Sequence, residues 1–304
     1  MRAPAIGLFA TLSACAGFDT EAAHAHVGPV TSLAFTPRGL ASCSQGGVFV
    51  DAQPATETFL PLRPLALAAL PGSGDLLVVG GRPGQRGEIA LVQPARVSAQ
   101  RLARDLLYCV TVSPDGTRAA TGGADGCVRV LGLQTVGVDP PLDITETASH
   151  AHHTGPCRAV AFTPDGKTLV SVGLDGLVVV RELLDDTFQR LTDHTAGVEC
   201  LAIRADGARI ASGARDGKVR IHARDGRLLR TFARLGDTVL ALAWRDEQTL
   251  LAGLGDGQVL ALTDAGEGAQ SVVARFEVAV HSLAIGPDGG LAIGLQDGRV
   301  VRMP

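Results

Sequence analysis

The sequence is poor in lysine and in aromatic residues, and these shortages exclude several classes of function. Only two of its 27 basic residues are lysine, and the formal net charge is -4. Because sequence-independent binding to nucleic acid needs a dense basic face, we expect no nucleic-acid partner. Aromatic residues make up 4% of the chain, which disfavours a sugar ligand held by stacking. The core must therefore consist mainly of Val, Leu, Ile and Ala.

The six cysteines lack the CxxC or similar spacing that zinc sites and redox motifs require. They are Cys15, Cys43, Cys109, Cys127, Cys157 and Cys200. Five of them fall on predicted strands in different parts of the chain, so we expect small buried thiols and no disulfides. No cofactor is expected either, because the Gly-rich segment at residues 80–87 lacks the Lys and the following helix of a phosphate-binding loop.

What the chain does contain is a tight turn, in most copies Asp-Gly, that precedes a short β-branched run and recurs seven times. The marker glycines are Gly47, Gly87, Gly126, Gly176, Gly217, Gly257 and Gly298. They stand roughly 40 residues apart, with one longer interval between Gly126 and Gly176. A period of this length is typical of a four-stranded propeller blade and not of a helical pair.

Each copy reads as a strand, a tight turn, a second strand, the Asp-Gly turn and a third strand. In the fourth copy the strands are predicted at residues 158–163, 168–172 and 177–181, with an outer strand at 188–191. The last copy ends after its third strand, and residues 18–23 are predicted to supply the missing one. The sequence thus predicts an all-β fold: a seven-bladed β-propeller of four-stranded antiparallel blades, closed by pairing of the N- and C-terminal strands.

These repeats resemble those of the WD-repeat family over nearly the whole chain. The family's repeat carries a His before the first strand, a Ser or Thr on the second, an Asp in the next turn and a Trp on the third. The matching residues are His153, Ser171 and Asp175 in one copy, and His194, Ser212 and Asp216 in the next. A third copy has His26 and Ser42 but Gly46 in place of the Asp. At the position of the Trp stand Leu131, Arg181, His222, Leu262 and Met303, which makes these degenerate, bacterial-type repeats.

The resemblance implies that each His-Ser-Asp set is a blade-stabilising hydrogen-bond network and not a hydrolase triad. It also implies a monomeric ring that acts as a non-catalytic protein-protein interaction scaffold. We expect protein partners on the face that carries His26, His153 and His194. The alternative is a propeller enzyme or metal-dependent hydrolase with a site at the central channel. The predicted inner strands end mostly in Val, Ser, Cys and Ala, which disfavours that alternative.

A separate candidate for metal binding is the run that contains His150, His152 and His153. Imidazoles at this density ligate zinc, copper or nickel when their geometry allows it. However, no Cys, Asp or Glu completes the cluster locally, and His153 already belongs to the network implied above. An exposed His-rich loop without metal is therefore the favoured interpretation.

Residues 1–15 have the layout of a bacterial lipoprotein signal: a basic start at Arg2, an apolar centre at residues 5–12 and a small-residue tetrad that ends at Cys15. We expect lipidation of Cys15, a propeller over residues 16–304 and a location in the cell envelope. The membrane would be reached only through this anchor. In the alternative interpretation the segment is an apolar tail or outer strand, and the protein is cytoplasmic, where unpaired cysteines stay reduced.

Overall fold

The computed structural model describes residues 22–51, 56–58, 60–135, 142–263 and 269–304. Within these residues all regular secondary structure is β-strand, in seven four-stranded sheets. None of this described part forms a helix long and apolar enough to cross a membrane. Six of the sheets follow chain order and are meanders of antiparallel hairpins, and in the seventh the first strand of the chain pairs with the last. We number the sheets as blades 1 to 7 in the order of their first strands.

The first and second strands of each blade form its inner half. The first strands are β2 (Ser32–Thr36), β6 (Pro64–Ala69), β10 (Leu107–Val112), β14 (Cys157–Phe162), β18 (Val198–Ile203), β22 (Val239–Trp244) and β26 (Val280–Ile285). The second strands are β3 (Gly39–Ser44), β7 (Leu76–Arg82), β11 (Arg118–Gly123), β15 (Thr168–Gly173), β19 (Arg209–Ala214), β23 (Thr249–Leu254) and β27 (Leu291–Leu295).

The third and fourth strands form the outer half. The third strands are β4 (Gly47–Asp51), β8 (Arg86–Gln93), β12 (Cys127–Thr135), β16 (Val178–Glu182), β20 (Val219–Ala223), β24 (Gln258–Thr263) and β28 (Arg299–Met303). The fourth strands are β5 (Thr56–Thr58), β9 (Arg96–Ala103), β13 (Leu142–Ala151), β17 (Phe188–Leu191), β21 (Leu228–Phe232) and β25 (Gln270–Arg275), with β1 (Ala22–Ala25) completing blade 7.

The first strands contact one another all the way round, and β26 of blade 7 contacts β2 of blade 1. This arrangement confirms the predicted seven-bladed β-propeller with a central channel lined by the first strands. The two ends of the chain close it, because β1 pairs antiparallel with β28 and aligns Ala25 with Arg299. The closing strand begins at Ala22 and extends beyond the predicted residues 18–23. Residues 18–21 and the predicted lipidation site at Cys15 lie outside the described residues.

In blade 4 the predicted outer strand matches β17, whereas β14 begins one residue earlier than predicted and β16 one residue later. The later start has a local cause. The N–H of Leu177 donates to the carboxylate of Asp175 at 3.2 Å, which keeps Leu177 in the turn.

Each blade packs on two neighbouring blades, one against each of its faces. On β2, Leu33 and Phe35 pack on Ala292 and Val300 of blade 7, while Ala34 lies in the cluster shared with blade 2. Successive residues of a strand point to opposite faces of the sheet, so both sets of side chains are used. The core consequently consists of aliphatic layers between blades, and the largest fully buried side chains are all Leu or Ile.

Candidate functional site

On one face of the ring, which we call the His face, the loop before a first strand contacts the Asp-Gly turn of the preceding blade. The N–H of His26 donates to the carbonyl of Gly298 at 2.8 Å, and His153 makes the same contact with Gly126 at 3.3 Å. Glycine is required at this contact. Gly298 has a φ of +92°, and a Cβ there would lie 2.1 Å from the carbonyl oxygen of His26. The Asp-Gly turns thus connect each blade to the next.

In blade 4 the structure brings together the three residues that match the family pattern. Nε2 of His153 lies 2.9 Å from Oγ of Ser171, and Nδ1 lies 3.1 Å from the carboxylate of Asp175. Because a carboxylate only accepts, Nδ1 carries the proton and Nε2 accepts from the serine hydroxyl. Burial lowers the pKa of His153, and the charge of Asp175 opposes this effect without reversing it. The imidazole is neutral at pH 7.

Blade 5 places the same residue types together but adds an arginine. Nε2 of His194 lies 2.9 Å from Oγ of Ser212, while Nη1 of Arg220 lies 2.6 Å from Nδ1 of His194. Arg220 also donates to Asp216 at 2.9 Å. Nδ1 of His194 also lies 3.2 Å from the carboxylate of Asp216, but its contact with Arg220 is much shorter. Since a guanidinium only donates, Nδ1 accepts from Arg220 and Nε2–H donates to Ser212, the reverse of blade 4. Burial and then the charge of Arg220 lower the pKa of His194 to about 4.

The set in blade 1 has a serine in place of the aspartate. Nε2 of His26 lies 2.7 Å from Oγ of Ser42, and Oγ of Ser44 lies 3.2 Å from Nδ1. Ser44 thereby occupies the role that Gly46 cannot fill. Blades 6 and 7 replace the network with apolar side chains, Leu235 with Ala252 and Phe276 with Ile293.

The serine hydroxyls are out of reach of any substrate. Ser42 and Ser212 are 0% exposed and Ser171 is 3% exposed. A nucleophile must be accessible beside a group that stabilises the oxyanion, and a fully enclosed hydroxyl does not meet that requirement. These networks give buried polar groups their hydrogen-bond partners and hold the loop of the His face against its blade.

The three histidines of the metal candidate face different partners. His150 stacks on His152, with ring centroids 5.4 Å apart, and His152 contacts Phe188 and accepts from Arg181 at 2.6 Å. His153 turns into the network of blade 4. In the part of the chain that the structure describes, no group of three or more His, Cys, Asp or Glu side chains is placed to hold a metal ion.

A β-bulge near the start of the first strand is a feature that blades 2 to 7 share. In each of them the register shifts by one residue and leaves the second residue of the strand unpaired. A bulge re-aims the side chain of its extra residue. The unpaired residues, which we call the bulge ring, are Leu65, Tyr108, Arg158, Glu199, Leu240 and His281. They surround the mouth of the central channel on the His face.

Neighbouring members of the bulge ring interact through a buried carboxylate. The side chain of Glu199 is 5% exposed and accepts from Nε of Arg158 at 2.8 Å and from Nε of Arg215 at 2.5 Å. Arg215 stands in the Asp-Gly turn of blade 5. The guanidinium of Arg158 lies over the ring of Tyr108, 5.0 Å from its centroid. Three consecutive blades are thereby linked at the channel mouth.

His281 reaches the same space from the far side of the channel. Burial lowers its pKa, the charge of Arg158 lowers it further, and Glu199 acts in the opposite direction. Blade 7 is not a neighbour of blade 4 or blade 5, so these charges act across the channel. This cluster was not predicted, because the predicted ends of the inner strands are mostly Val, Ser, Cys and Ala. An alignment of the seven copies on the first residue of their first strands would have revealed the cluster, because in four copies the next residue is large and polar.

The cysteines of the described residues are all free. Cys43, Cys109, Cys157 and Cys200 are buried, and Cys127 is half-buried. Burial raises the pKa of the Cys43 thiol to about 12 and also raises that of Cys200. The thiols of Cys43 and Cys200 are core groups that stay protonated at neutral pH.

The family model for the WD domain, G-beta repeat, matches residues 102–130, 145–181 and 186–222. The second and third of these segments contain the complete His-Ser-Asp sets of blades 4 and 5. Together with the seven-bladed ring, this match supports a WD-repeat β-propeller, with the WD repeats shown at residues 102–222.

Comparison with curated proteins supports the same assignment. The propeller is 28% identical over 153 residues to Protein hir-1 of Neurospora crassa, a match that covers 42% of this chain and 15% of that protein. It is 28% identical over 156 residues to Actin-interacting protein 1-2 of Arabidopsis thaliana, covering 51% of this chain and 24% of the relative.

A third relative is the WD repeat-containing protein SL1-17 of Schistosoma mansoni, 27% identical over 123 residues, 40% of this chain and 38% of the relative. The matched segments therefore span less than half of each of these three proteins. All three are eukaryotic, so the bacterial type expected from the sequence receives no support from them.

Proposed function

We propose that the propeller is a non-catalytic scaffold that binds a protein partner with its His face. The observation that carries this proposal is the bulge ring. Side chains able to form polar contacts converge from blades 3, 4, 5 and 7 on one channel mouth, while the serines of the His-Ser-Asp networks are enclosed. The name of the Arabidopsis relative refers to interaction with another protein, and a protein partner is the part of that description carried over here.

Affinity capture tests the placement of the binding face. One variant exchanges His-face turn residues, Arg215→Glu with Gln296→Glu, and a control variant exchanges turn residues of the opposite face, Arg224→Glu with Glu247→Gln. We expect the first variant to lose the partners that the intact ring captures and the second to keep them. Recovery of the same partners by both variants would place the binding face elsewhere.

A second candidate function is a propeller enzyme or metal-dependent hydrolase at the central channel. The presence of Glu199, Tyr108 and His281 at the channel mouth favours it. Against it, each carboxylate oxygen of Glu199 already accepts from an arginine. Metal analysis of the purified protein separates the two functions: stoichiometric zinc or calcium that is lost in His281→Ala would support the enzyme.

We also propose that the ring is tethered to a membrane through a lipid on Cys15, which places it in the cell envelope. The support is the signal-like layout of residues 1–15. Mass spectrometry of the mature amino terminus tests this proposal. A diacylated or triacylated Cys15 is expected, and an unprocessed Met1 would make the protein cytoplasmic.

A further inference from the structure

The two arginines at the channel mouth are held in place with most of their donors unused. Each binds Glu199 through Nε, and the described residues supply no partner to the terminal nitrogens of Arg158 or Arg215. The side chains of the two arginines are 34% and 54% exposed. Because they bind the two oxygens of one carboxylate, the two guanidinium groups flank Glu199. Two positive charges face one negative charge, so the pair keeps a net positive charge.

Fixing a guanidinium before a ligand arrives reduces the conformational entropy lost on binding. Glu199 orients both arginines, and the ring of Tyr108 packs against the guanidinium of Arg158. A planar guanidinium fork matches the geometry of a carboxylate and binds it with charge-assisted hydrogen bonds. The mouth is therefore organised for an anion before one binds.

The backbone around the mouth favours a carboxylate over a phosphate. Phosphate sites commonly use several free N–H groups. Here the turn N–H groups of Leu174, Arg215, Gly255 and Gln296 all donate to carbonyls of adjacent loops, at 2.9 to 3.0 Å. The bulge ring also contributes Leu65 and Leu240, two apolar side chains suited to the methylenes of a peptide side chain.

We propose that the channel mouth binds a carboxylate side chain from an acidic segment of the protein partner, between Arg158 and Arg215. Tyr108 and His281 flank the bound carboxylate. This inference rests on the proposed scaffold function and names the chemistry that its partner presents.

Nuclear magnetic resonance tests the inference directly, because Tyr108 is the single tyrosine of the chain. Its ring signals need no further assignment. We titrate the full-length ring with a hexaglutamate peptide, with hexaglutamine and with inorganic phosphate at matched ionic strength. Hexaglutamate is expected to shift the Tyr108 signals in a saturable way and the other two probes are not. The double variant Arg158→Gln with Arg215→Gln is expected to weaken hexaglutamate binding at least about tenfold.

The matched control is Arg224→Gln on the opposite face. Like Arg158, Arg224 is 34% exposed and pairs with carboxylates, in its case those of Asp165 and Glu182. This variant keeps wild-type affinity for hexaglutamate, and circular dichroism verifies that both variants fold. No saturable binding, equal binding of hexaglutamine or phosphate, or undiminished binding by the double variant would each overturn the inference. If the double variant still captures its partner while the intact ring ignores hexaglutamate, the inference fails and the scaffold function stands.

Discussion

Nη1 of Arg220 lies 2.6 Å from Nδ1 of His194, and blade 4 has no such contact because Val179 occupies the position of Arg220. The same His-Ser-Asp sequence pattern consequently carries its imidazole proton on opposite nitrogens in adjacent blades. In both blades the serine is the constant partner, at 2.9 Å from Nε2. The stability of each blade is therefore expected to depend on its serine.

Removing a network serine should destabilise the ring. Ser212→Ala leaves the Nε2–H of His194 buried without an acceptor, and Ser171→Ala leaves Nε2 of His153 without a donor. Each change is expected to cost about 1–3 kcal/mol in the free energy of unfolding. Urea unfolding followed by the fluorescence of Trp244, the only tryptophan, measures this. Ser271→Ala, at an exposed site of β25, is the control and should change stability by less than about 0.5 kcal/mol. Equal effects at all three sites would contradict the assigned role.

The ring should lose stability in acid below the ordinary histidine pKa. The folded-state pKa of His194 is about 4 against an ordinary value of 6.5, so the unfolded chain binds the proton more readily. The stabilisation that neutral His194 contributes is complete above pH 6.5 and is lost as the pH falls toward 4. The free energy of unfolding then decreases by on the order of 3 kcal/mol. Urea unfolding at pH 7 and pH 4.5 measures the loss.

A double variant provides the control for that pH dependence. His194→Leu with Ser212→Ala copies the apolar pair Leu235 and Ala252 of blade 6. Without the titrating imidazole, its stability should fall less between pH 7 and pH 4.5. The same fall in the variant and the wild type would show that His194 is not the group responsible.

Ring closure should be sensitive to one methyl group at Gly298. An alanine there would place its Cβ 2.1 Å from the carbonyl oxygen of His26. Gly28 has nearly the same φ, +91°, but nothing lies within 4 Å of its Cβ position. Gly28→Ala measures the cost of the φ angle alone, about 1 kcal/mol. Gly298→Ala is expected to cost at least about 2 kcal/mol more in urea unfolding. Equal costs would mean that the contact between Gly298 and His26 does not constrain closure.

The ring could be predicted from the sequence because its unit repeats, and each Asp-Gly turn marks a hairpin by local chemistry alone. The ends of the strands were harder to predict, since the start of β16 depends on a single hydrogen bond from the N–H of Leu177 to Asp175. The bulge ring was missed for a related reason. The expected alternation of side chains between the two faces of a strand assumes a regular pleat. A bulge at Arg158 or Glu199 shifts that alternation by one residue. The contact of Arg220 with His194 could not be predicted from the sequence, because only the folded blade brings the two side chains together.

The buried thiols should resist modification in the folded ring. Treatment with N-ethylmaleimide at pH 8 followed by peptide mapping is expected to label Cys127, which is half-buried. Cys43 and Cys200 should stay unlabelled, because burial raises the pKa of both thiols and denies access to the reagent. Both should react in urea. Labelling of Cys200 without unfolding would contradict its place in the core.

Site-specific photo-crosslinking tests the central claim, that the His face binds a protein partner, most directly. A benzophenone side chain replaces exposed Gln296 on the His face in one variant and exposed Glu247 on the opposite face in the other. Irradiation in cells, followed by purification of the ring, should yield a discrete crosslinked partner from position 296 and none from position 247. Crosslinks to the same partner from position 247 alone would contradict the account.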